Sequence, residues 1–526
     1  MATPGSRTKD LEGRFQEPVD VLFVNPPSPD RFIYIRDINR HGRSSWERMI
    51  WPQTNLAILA ATAEQEGLSA EIVDCIALGL DWEDYEQILR NTRPRFCFSN
   101  LISVTYSNDV SALRLAKQVS GAVTVGMGPH ITDSPERSLA EAEGVDFVIR
   151  HEAEESLREL LQVHLSGEEV TVDRLARVAG IAFIPRRIDP AASSTAIVTD
   201  QRPFIDDLDL LPPARHDLLP LQRYWAPFLG NYTFIETSRG CPYRCTFCRQ
   251  GIMYQWKYRT RSGRSLAEEA LRLHKLGVEN ILFHADTFTV GGKMVHELCD
   301  ALIAAGSPVR WACNTHAKAL EGKEDLIEKM KAAGCWMMAI GIESGNDQIL
   351  RNIKKQTTTA LVRDIVERIH RAGIQVWGYF VIGFPGETKE TIEETIDFAT
   401  SLPLTIAKFD IGAPYPGTEF HKYVTEKNYI KVDQYEDFDQ NASAVVDYPD
   451  LTAEEIKAGV RRATRRFYLR PRILLHILRE CLRPRSAMAI ALIIRDQLAL
   501  LARGKRERAT PAAVGGISRT PAPKRV

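Results

Sequence analysis

The chain has 526 residues, 44% of them hydrophobic and 26% charged, with Lys+Arg 67 against Asp+Glu 68. That length exceeds one ordinary core, so two or three domains are expected, and the near-balanced charge gives no reason for a nucleic-acid partner. Nine cysteines in so long a chain, three of them within eight residues, exclude a disulfide framework.

The opening "MATPGSRTKDLEGRFQEP" has no apolar run of signal-peptide type, and a cytoplasmic location is expected. Residues 15–190 then alternate short apolar runs with helical patterns. The strand candidates are "VDVLFVN" (19–25), "AEIVDC" (70–75), "RFCFSNL" (95–101), "AVTVGMG" (122–128) and "DFVIRH" (146–151). The fold class expected is α/β, beginning with a Rossmann-like, doubly wound parallel sheet. Its ligand would lie beyond the carboxyl ends of the strands, which here carry "NPPSP", "SNLISVT", "GMGPHIT" and "RHEAEES". A Pro- and Asp-rich stretch without periodicity follows, and 191–228 is expected to be a linker. From 229 to 445 the alternation resumes with "YTFIETS", "NILFHAD", "RWACNT", "MMAIGIES", "VWGYFVIGF" and "AKFDIGAP". Six such strands, against the eight of a closed barrel, predict a partial (β/α)6 barrel of TIM type with its chemistry at the carboxyl ends. Residues 446–505 are expected to form a helical C-terminal region and 506–526 a disordered basic tail. From 461 to the end there are 17 basic and 3 acidic residues.

The clustered cysteines lie in "GCPYRCTFCRQG", just after the first barrel strand, at spacing C-x3-C-x2-C. Zinc fits poorly, because structural zinc takes four ligands and no paired Cys or His at finger spacing follows Cys248. An iron–sulfur cube fits better: Cys241, Cys245 and Cys248 each take one iron of a [4Fe–4S] cluster and leave the fourth open to a substrate. The other six, Cys75, Cys97, Cys299, Cys313, Cys335 and Cys481, read as small core residues.

"CPYRCTFC", with an aromatic before its third cysteine, resembles the signature of the radical S-adenosylmethionine (SAM) superfamily, and "GIESGN", "GYFVIGFPGET" and "GAPYPGTEF" resemble that family's later motifs in order. The resemblance implies that the amino and carboxylate groups of SAM chelate the fourth iron and that its reduction releases a 5′-deoxyadenosyl radical. It also implies that Phe247 contacts adenine, that His284 to Asp286 hold the methionine amino group, that Glu343 and Ser344 meet ribose or carboxylate, and that Ile382, Gly383 and Pro414 pack against adenine. Two strands depart from the family pattern. "HADTF" lacks the usual glycine pair, and "NTHAKA" leaves Asn314, His316 or Lys318 to make any polar contact of the third strand. Each position also has an ordinary reading: Glu343 as a helix cap, Asn314 as a strand-end partner for backbone, "FPGET" as a turn with its own carboxylate.

A Rossmann-like domain before such a barrel resembles the cobalamin-binding domain of the B12-dependent radical SAM enzymes. The matching stretches are "LFVNPP", "WPQTNLAILAA", "VDC", "SVT", "VGMGPHIT" and "IRHEAEESL". The resemblance makes Asn25, Pro26, Ser103, Thr105, Gly126, Gly128, Pro129, His130 and Glu152 the cobalamin candidates. Gly126 and Gly128 would let backbone approach a flat macrocycle, and Ser103 and Thr105 would bond its amides. "GMGPH" is no dinucleotide fingerprint, so NAD is not expected. The D-x-H-x-x-G motif of cobalamin domains that donate a lower histidine is missing, since His41 directly precedes Gly42. Cobalamin without an axial histidine is implied, with His41 and His130 structural or amide-binding.

The reaction implied is methylation of an unactivated carbon. The alternative is an oxidative cyclisation or rearrangement without methyl transfer, as in the anaerobic magnesium-protoporphyrin ester cyclases. The substrate class stays open among small molecules, lipids and peptides, no residue is assigned as hydrogen donor, and an external donor of flavodoxin or ferredoxin type would supply electrons. For the basic, apolar C-terminal helices two readings are open: peripheral contact with an anionic membrane, or packing on the barrel with a solvated basic face.

Overall fold

The computed structural model describes residues 13–503 except 30, 31, 38–40, 44, 46, 47, 433 and 442. The His41 side chain and the expected tail 506–526 lie outside the described residues.

The first sheet holds β1 (Val21–Asn25), β2 (Ala70–Asp74), β3 (Phe96–Asn100), β4 (Val123–Met127), β5 (Phe147–Ile149), β6 (Ile181–Phe183) and β7 (Ile197–Val198) in the order β2-β1-β3-β4-β5-β6-β7. Its first five strands are parallel, as the alternating pattern predicts, and β6 and β7 add an antiparallel edge. Helices cover both faces. Val21 and Phe23 of β1 share a core with α1 (Thr54–Gln65), while Leu22 and Val24 share the other with α2 (Trp82–Thr92) and α3 (Tyr106–Ser120). That two-sided burial is why the strands read as continuous apolar runs. The strand order reverses between β1 and β3, which opens a crevice at their carboxyl ends. Strand β7 falls within the stretch expected to be linker. The remainder of that stretch is fixed to the barrel, His216 Nε2 lying 2.7 Å from Glu269 Oε1 with both side chains buried.

The second sheet begins with β8 (Trp225–Ala226), antiparallel to β9 (Gly230–Glu236). Parallel to β9 follow β10 (Asn280–His284), β11 (Arg310–Thr315), β12 (Cys335–Glu343), β13 (Gln375–Ile382) and β14 (Ile406–Ile411), side by side in chain order. These are the six strands the sequence predicts, and the sheet does not close on itself. Between them run α4 (Gly263–Lys275), α5 (Gly292–Ala304), α6 (Glu324–Ala332), α7 (Thr359–Arg371) and α8 (Lys389–Ser401). Ser262, Thr358 and Thr388 start three of these helices by accepting the amides of Ser265, Leu361 and Thr391. On the β14 side the sheet is covered by α9 (Ala453–Tyr468), α10 (Pro471–Cys481) and α11 (Pro484–Arg503), with Phe467 of α9 edge-on to Phe409 at 6.3 Å. At the β9 edge stands the first domain: Trp51 meets Phe234 edge-on at 4.6 Å, and the Tyr232 hydroxyl donates to the Ile50 carbonyl.

Candidate functional site

The cysteine loop leaves β9 at a pinned corner. Thr237 N donates to His284 O at 3.0 Å, and Ser238–Arg239 pairs with Arg259–Thr260, so the excursion between them is closed at its base. Gly240 has φ +78°, and a Cβ there would lie 2.1 Å from Lys257 O. Only glycine lets the chain turn into Cys241 while the base stays shut. The loop is also tied at Thr246, whose amide donates to Ile353 O at 3.0 Å and whose carbonyl accepts from Phe420 N at 2.9 Å. Contacts after β12 and β14 thus position a loop that begins after β9.

Cys241, Cys245 and Cys248 all face one cavity of about 320 Å³ at the carboxyl ends of the barrel strands. Burial pushes their thiols up, Cys245 to about 11, so bare thiolates are unfavourable here and a bound cation would have to hold them ionised. Among the described residues no three His, Cys, Asp or Glu side chains come together as a single-ion site. A cube asks for less: three thiolates facing one space, one to each iron. Three cysteines lining one space are the donor set such a cluster needs.

The cavity wall contains Phe247, His284, Asp286, Asn314 and Glu343 among the residues predicted for SAM. Phe247 lies against Phe384 at 4.9 Å. His284 stacks on Phe234 at 5.3 Å, with Nε2 3.7 Å from Asp37 Oδ1. Burial, then the neighbouring carboxylates of Asp37 and Glu236, push Asp286 well above the ordinary carboxylate range, although Gln250 Nε2 donates to it at 2.6 Å. Of the third-strand candidates, Asn314 and His316 line the cavity, whereas Lys318 pairs with Glu321. His316 Nε2 lies 2.9 Å from Lys355 O and Nδ1 accepts from Lys318 N; burial lowers this imidazole to about 3, so it is neutral with its proton on Nε2.

Glu343 is a non-glycine residue at φ +66°, at a register shift of β12 against β13. Strain of this kind, on the order of 1–3 kcal/mol, persists where surroundings over-determine it. The surroundings are Lys355, whose Nζ lies 2.7 Å from Glu343 Oε1 with both side chains buried. Gly341 makes the room, since a Cβ there would lie 2.6 Å from Glu343 Oε1 and 3.0 Å from Lys355 Nζ. Sequence reasoning missed Lys355, because nothing in "RNIKKQT" distinguishes it from Lys354, which pairs with Glu419 at the surface.

Four predicted SAM residues lie outside this wall. Ser344 Oγ is 3.1 Å from Thr395 Oγ1, facing α8. Ile382 falls out of step with Trp377, Tyr379 and Val381, the β13 residues that face the cavity. Gly383 and Phe384 donate their amides to Glu387, the turn-carboxylate arrangement, and burial raises that carboxyl to about 7. Pro414 is buried beside Tyr415, over whose ring Arg249 is held at 5.4 Å.

The carboxyl ends of the first sheet are filled by a polar network. Asn25 Nδ2 donates to Asp74 Oδ1 at 2.7 Å, Arg36 Nη1 donates to Asn25 Oδ1 at 3.0 Å and to Pro26 O at 2.9 Å, and Thr105 Oγ1 donates to Asp109 Oδ2 at 2.6 Å. Buried Arg36 Nη2 has no hydrogen-bond partner among the described residues, which leaves a donor suited to a group rich in amide oxygens. His130, next to Pro129, has Nδ1 3.1 Å from Ser103 Oγ, and burial followed by Arg249 lowers it to about 3. Arg249 Nη1 in turn donates to Ser103 Oγ at 3.4 Å, joining the residue after Cys248 to the first domain. Three further cobalamin candidates have protein partners. The space a Cβ on Gly126 would take is held by Leu101, 2.3 Å away, and Gly128, at φ +122°, has Leu101 O 3.1 Å from its Cβ position. Glu152 accepts from Arg259 Nη1 and Ile205 N at 3.0 and 2.8 Å in a buried cluster with Arg239 and Glu154, so it ties the domains together.

Family models agree with this arrangement: residues 235–399 match the radical SAM superfamily and residues 48–161 the B12 binding domain. An uncharacterized methyltransferase of Pyrococcus horikoshii is 30% identical over 429 residues, covering 81% of this chain and 89% of that protein. The anaerobic magnesium-protoporphyrin IX monomethyl ester cyclase of Cereibacter sphaeroides is 26% identical over 80% of this chain and 67% of its own length. Among solved structures, the radical SAM methyltransferase TsrM of Kitasatospora setae, with cobalamin and a [4Fe–4S] cluster bound, shares the fold with a TM-score of 0.61 at 17% identity, covering 78% of each chain. A cysteine loop, a strand-end cavity and two matched domains in one order lead to one assignment: the chain belongs to the radical SAM superfamily, among the members that carry a B12-binding domain.

Proposed function

We propose that this enzyme methylates an unactivated carbon of its substrate, using a [4Fe–4S] cluster, SAM and cobalamin, with electrons from an external flavodoxin- or ferredoxin-type donor. The observation that carries the reading is one cavity lined both by the three cysteines of the barrel and by Met49 and Trp51 of the first domain. When bound, the cluster and SAM supply hydrogen-atom abstraction and cobalamin supplies the methyl group. The chain's own residues hold and orient. Cys241, Cys245 and Cys248 ligate, Asp286 offers a hydrogen-bonding carboxyl and the Glu343–Lys355 pair presents charges to the polar groups of SAM, and Trp51, Phe234 and Trp377 keep water from the reacting carbon. Arg36, Asn25, Ser103 and Thr105 are the polar residues assigned to cobalamin. Likeness to the cyclase favours oxidative cyclisation as the second reading. Product mass separates them: one added methylene for methylation, against loss of hydrogen or gain of oxygen for cyclisation. A product without the added methylene overturns the first reading.

The histidine arrangement gives a spectroscopic expectation. The D-x-H-x-x-G motif of an axial histidine is missing, and His130, with Nδ1 held at Ser103 and its ring packed on Tyr106 at 4.3 Å, is read as structural. Electron paramagnetic resonance of the cobalt(II) form is expected to lack nitrogen superhyperfine splitting. A clear nitrogen pattern that His130→Ala removes would refute it.

A further inference from the structure

A second cavity, of about 370 Å³, lies between the open side of the barrel and the C-terminal helices. Its walls are Ala226, Phe228 and Leu229 around β8, Trp377 and Ile406 on β13 and β14, and Ile473, Ile477, Ile490 and Ile493 on α10 and α11. Protein interiors hold few voids larger than a water molecule, and binding pockets run from about 300 to 1,000 Å³. This chamber therefore has the size of a site. Two of its polar neighbours are engaged elsewhere: the Tyr468 hydroxyl donates to Ala407 O at 3.0 Å, and Lys408 Nζ is held by Asp410 and Asn441 at 2.9 and 3.0 Å, while buried His476 Nε2 has no partner among the described residues. What faces an occupant is chiefly hydrocarbon.

Two features give the chamber direction. Met49, Trp377, Tyr379 and Lys408 line both it and the cysteine cavity, so the two spaces adjoin across these side chains. At the other end Leu469 lines the chamber and is 62% exposed, which places a mouth at the surface. Around that mouth α10 turns Ile473 and Ile477 inward and leaves Leu474, Leu475 and Leu478 exposed, with Leu482 and Met488 beyond them. Exposed Arg472, Arg479 and Arg483 flank these side chains. Apolar residues ringed by arginines match the interface of an anionic bilayer, where burial and charge act together. No helix among the described residues is long and apolar enough to cross a membrane, so the contact is with the surface.

We propose that this chamber holds the hydrocarbon part of a lipid substrate, taken up at Leu469 from an anionic membrane surface, with the reacting carbon delivered past Trp377 and Tyr379 toward the cysteine cavity. The inference rests on the reading that the cysteine cavity is the reaction site, and it names the substrate class for it. A membrane is the source proposed in preference to a soluble carrier, because the exposed leucines and arginines surround the mouth.

The test uses the anaerobic, cofactor-loaded full chain, a fluorescent conjugated fatty acid as probe, and alkyl phosphates of increasing length as competitors. Affinity is expected to rise about fourfold per added methylene until the chamber is full. Ile477→Trp, and independently Ile406→Phe on the opposite wall, should weaken the longest competitors at least about tenfold and the short ones little, on the same per-methylene scale. Leu474→Glu with Leu478→Glu should abolish sedimentation with phosphatidylserine vesicles and leave probe binding in solution. That sedimentation should itself fall as salt is raised. Absence of chain-length dependence, or full long-chain affinity in both wall variants, overturns the hydrocarbon site. Failure of the intact chain to sediment with vesicles at low salt overturns the membrane source. Every readout is a binding measurement, so a product without added methyl would sink the methylation reading and leave this one standing.

Discussion

Replacing Cys241, Cys245 and Cys248 together by alanine is expected to take iron from about four per chain to none and to abolish reductive SAM cleavage. The three thiols are the cysteines on the cavity wall at the loop after β9; Cys313, the other cysteine lining that cavity, sits on β11 and shares a buried pair with Cys335. Alanine removes the ligands without touching either sheet, since the loop is held by backbone bonds at Thr237, Thr246 and the Ser238–Arg239 ladder. Far-ultraviolet circular dichroism should therefore be unchanged while the brown colour and the iron are lost. Iron retained by the triple variant would place the cluster elsewhere.

Lys355→Met is expected to be the most damaging single change at the cavity. It leaves the Glu343 carboxylate buried without its ammonium partner, which typically costs about 3–5 kcal/mol. Burial alone would lower the Lys355 pKa, but Glu343, followed by Cys245, outweighs it and raises the ammonium above the ordinary lysine value. A raised lysine pKa means the stabilisation is complete at neutral pH and is lost only as pH climbs through the folded value, so the loss in Lys355→Met should be the same across the neutral range. Adding Glu343→Leu removes the orphaned charge and should recover most of the stability, because apolar replacement of a buried pair is often neutral or stabilising. SAM affinity should not recover in the double variant. Denaturation midpoints and SAM titration separate the two effects; a double variant that binds SAM as the parent does would make the pair purely structural.

The amino-acid sequence by itself determined the two sheets, their parallel strands and the cysteine loop, because these depend on local periodicity and spacing. Val21 to Val24 read as a two-sided buried strand from four residues alone, and C-x3-C-x2-C states its ligand count directly. It also carried the order of motifs that places Cys241, His284, Asn314 and Glu343 at successive strand ends. What only the tertiary structure decided are side-chain partners distant in sequence. Lys355 rather than Lys354 meets Glu343 because the chain before α7 turns through a left-handed Lys354, φ +56°, which directs one lysine inward and the other to Glu419. Gly126 packs under Leu101, Glu152 joins Arg259, and Arg249 reaches Ser103, since each partner arrives from an element that periodicity cannot position. The apolar chamber belongs to the same class. Its walls come from β8, β13, β14 and three C-terminal helices, so the inward turn of Ile473 and Ile477 and the outward turn of Leu474 and Leu478 follow from how α10 docks, and a helix apolar on two faces does not announce which face is the wall.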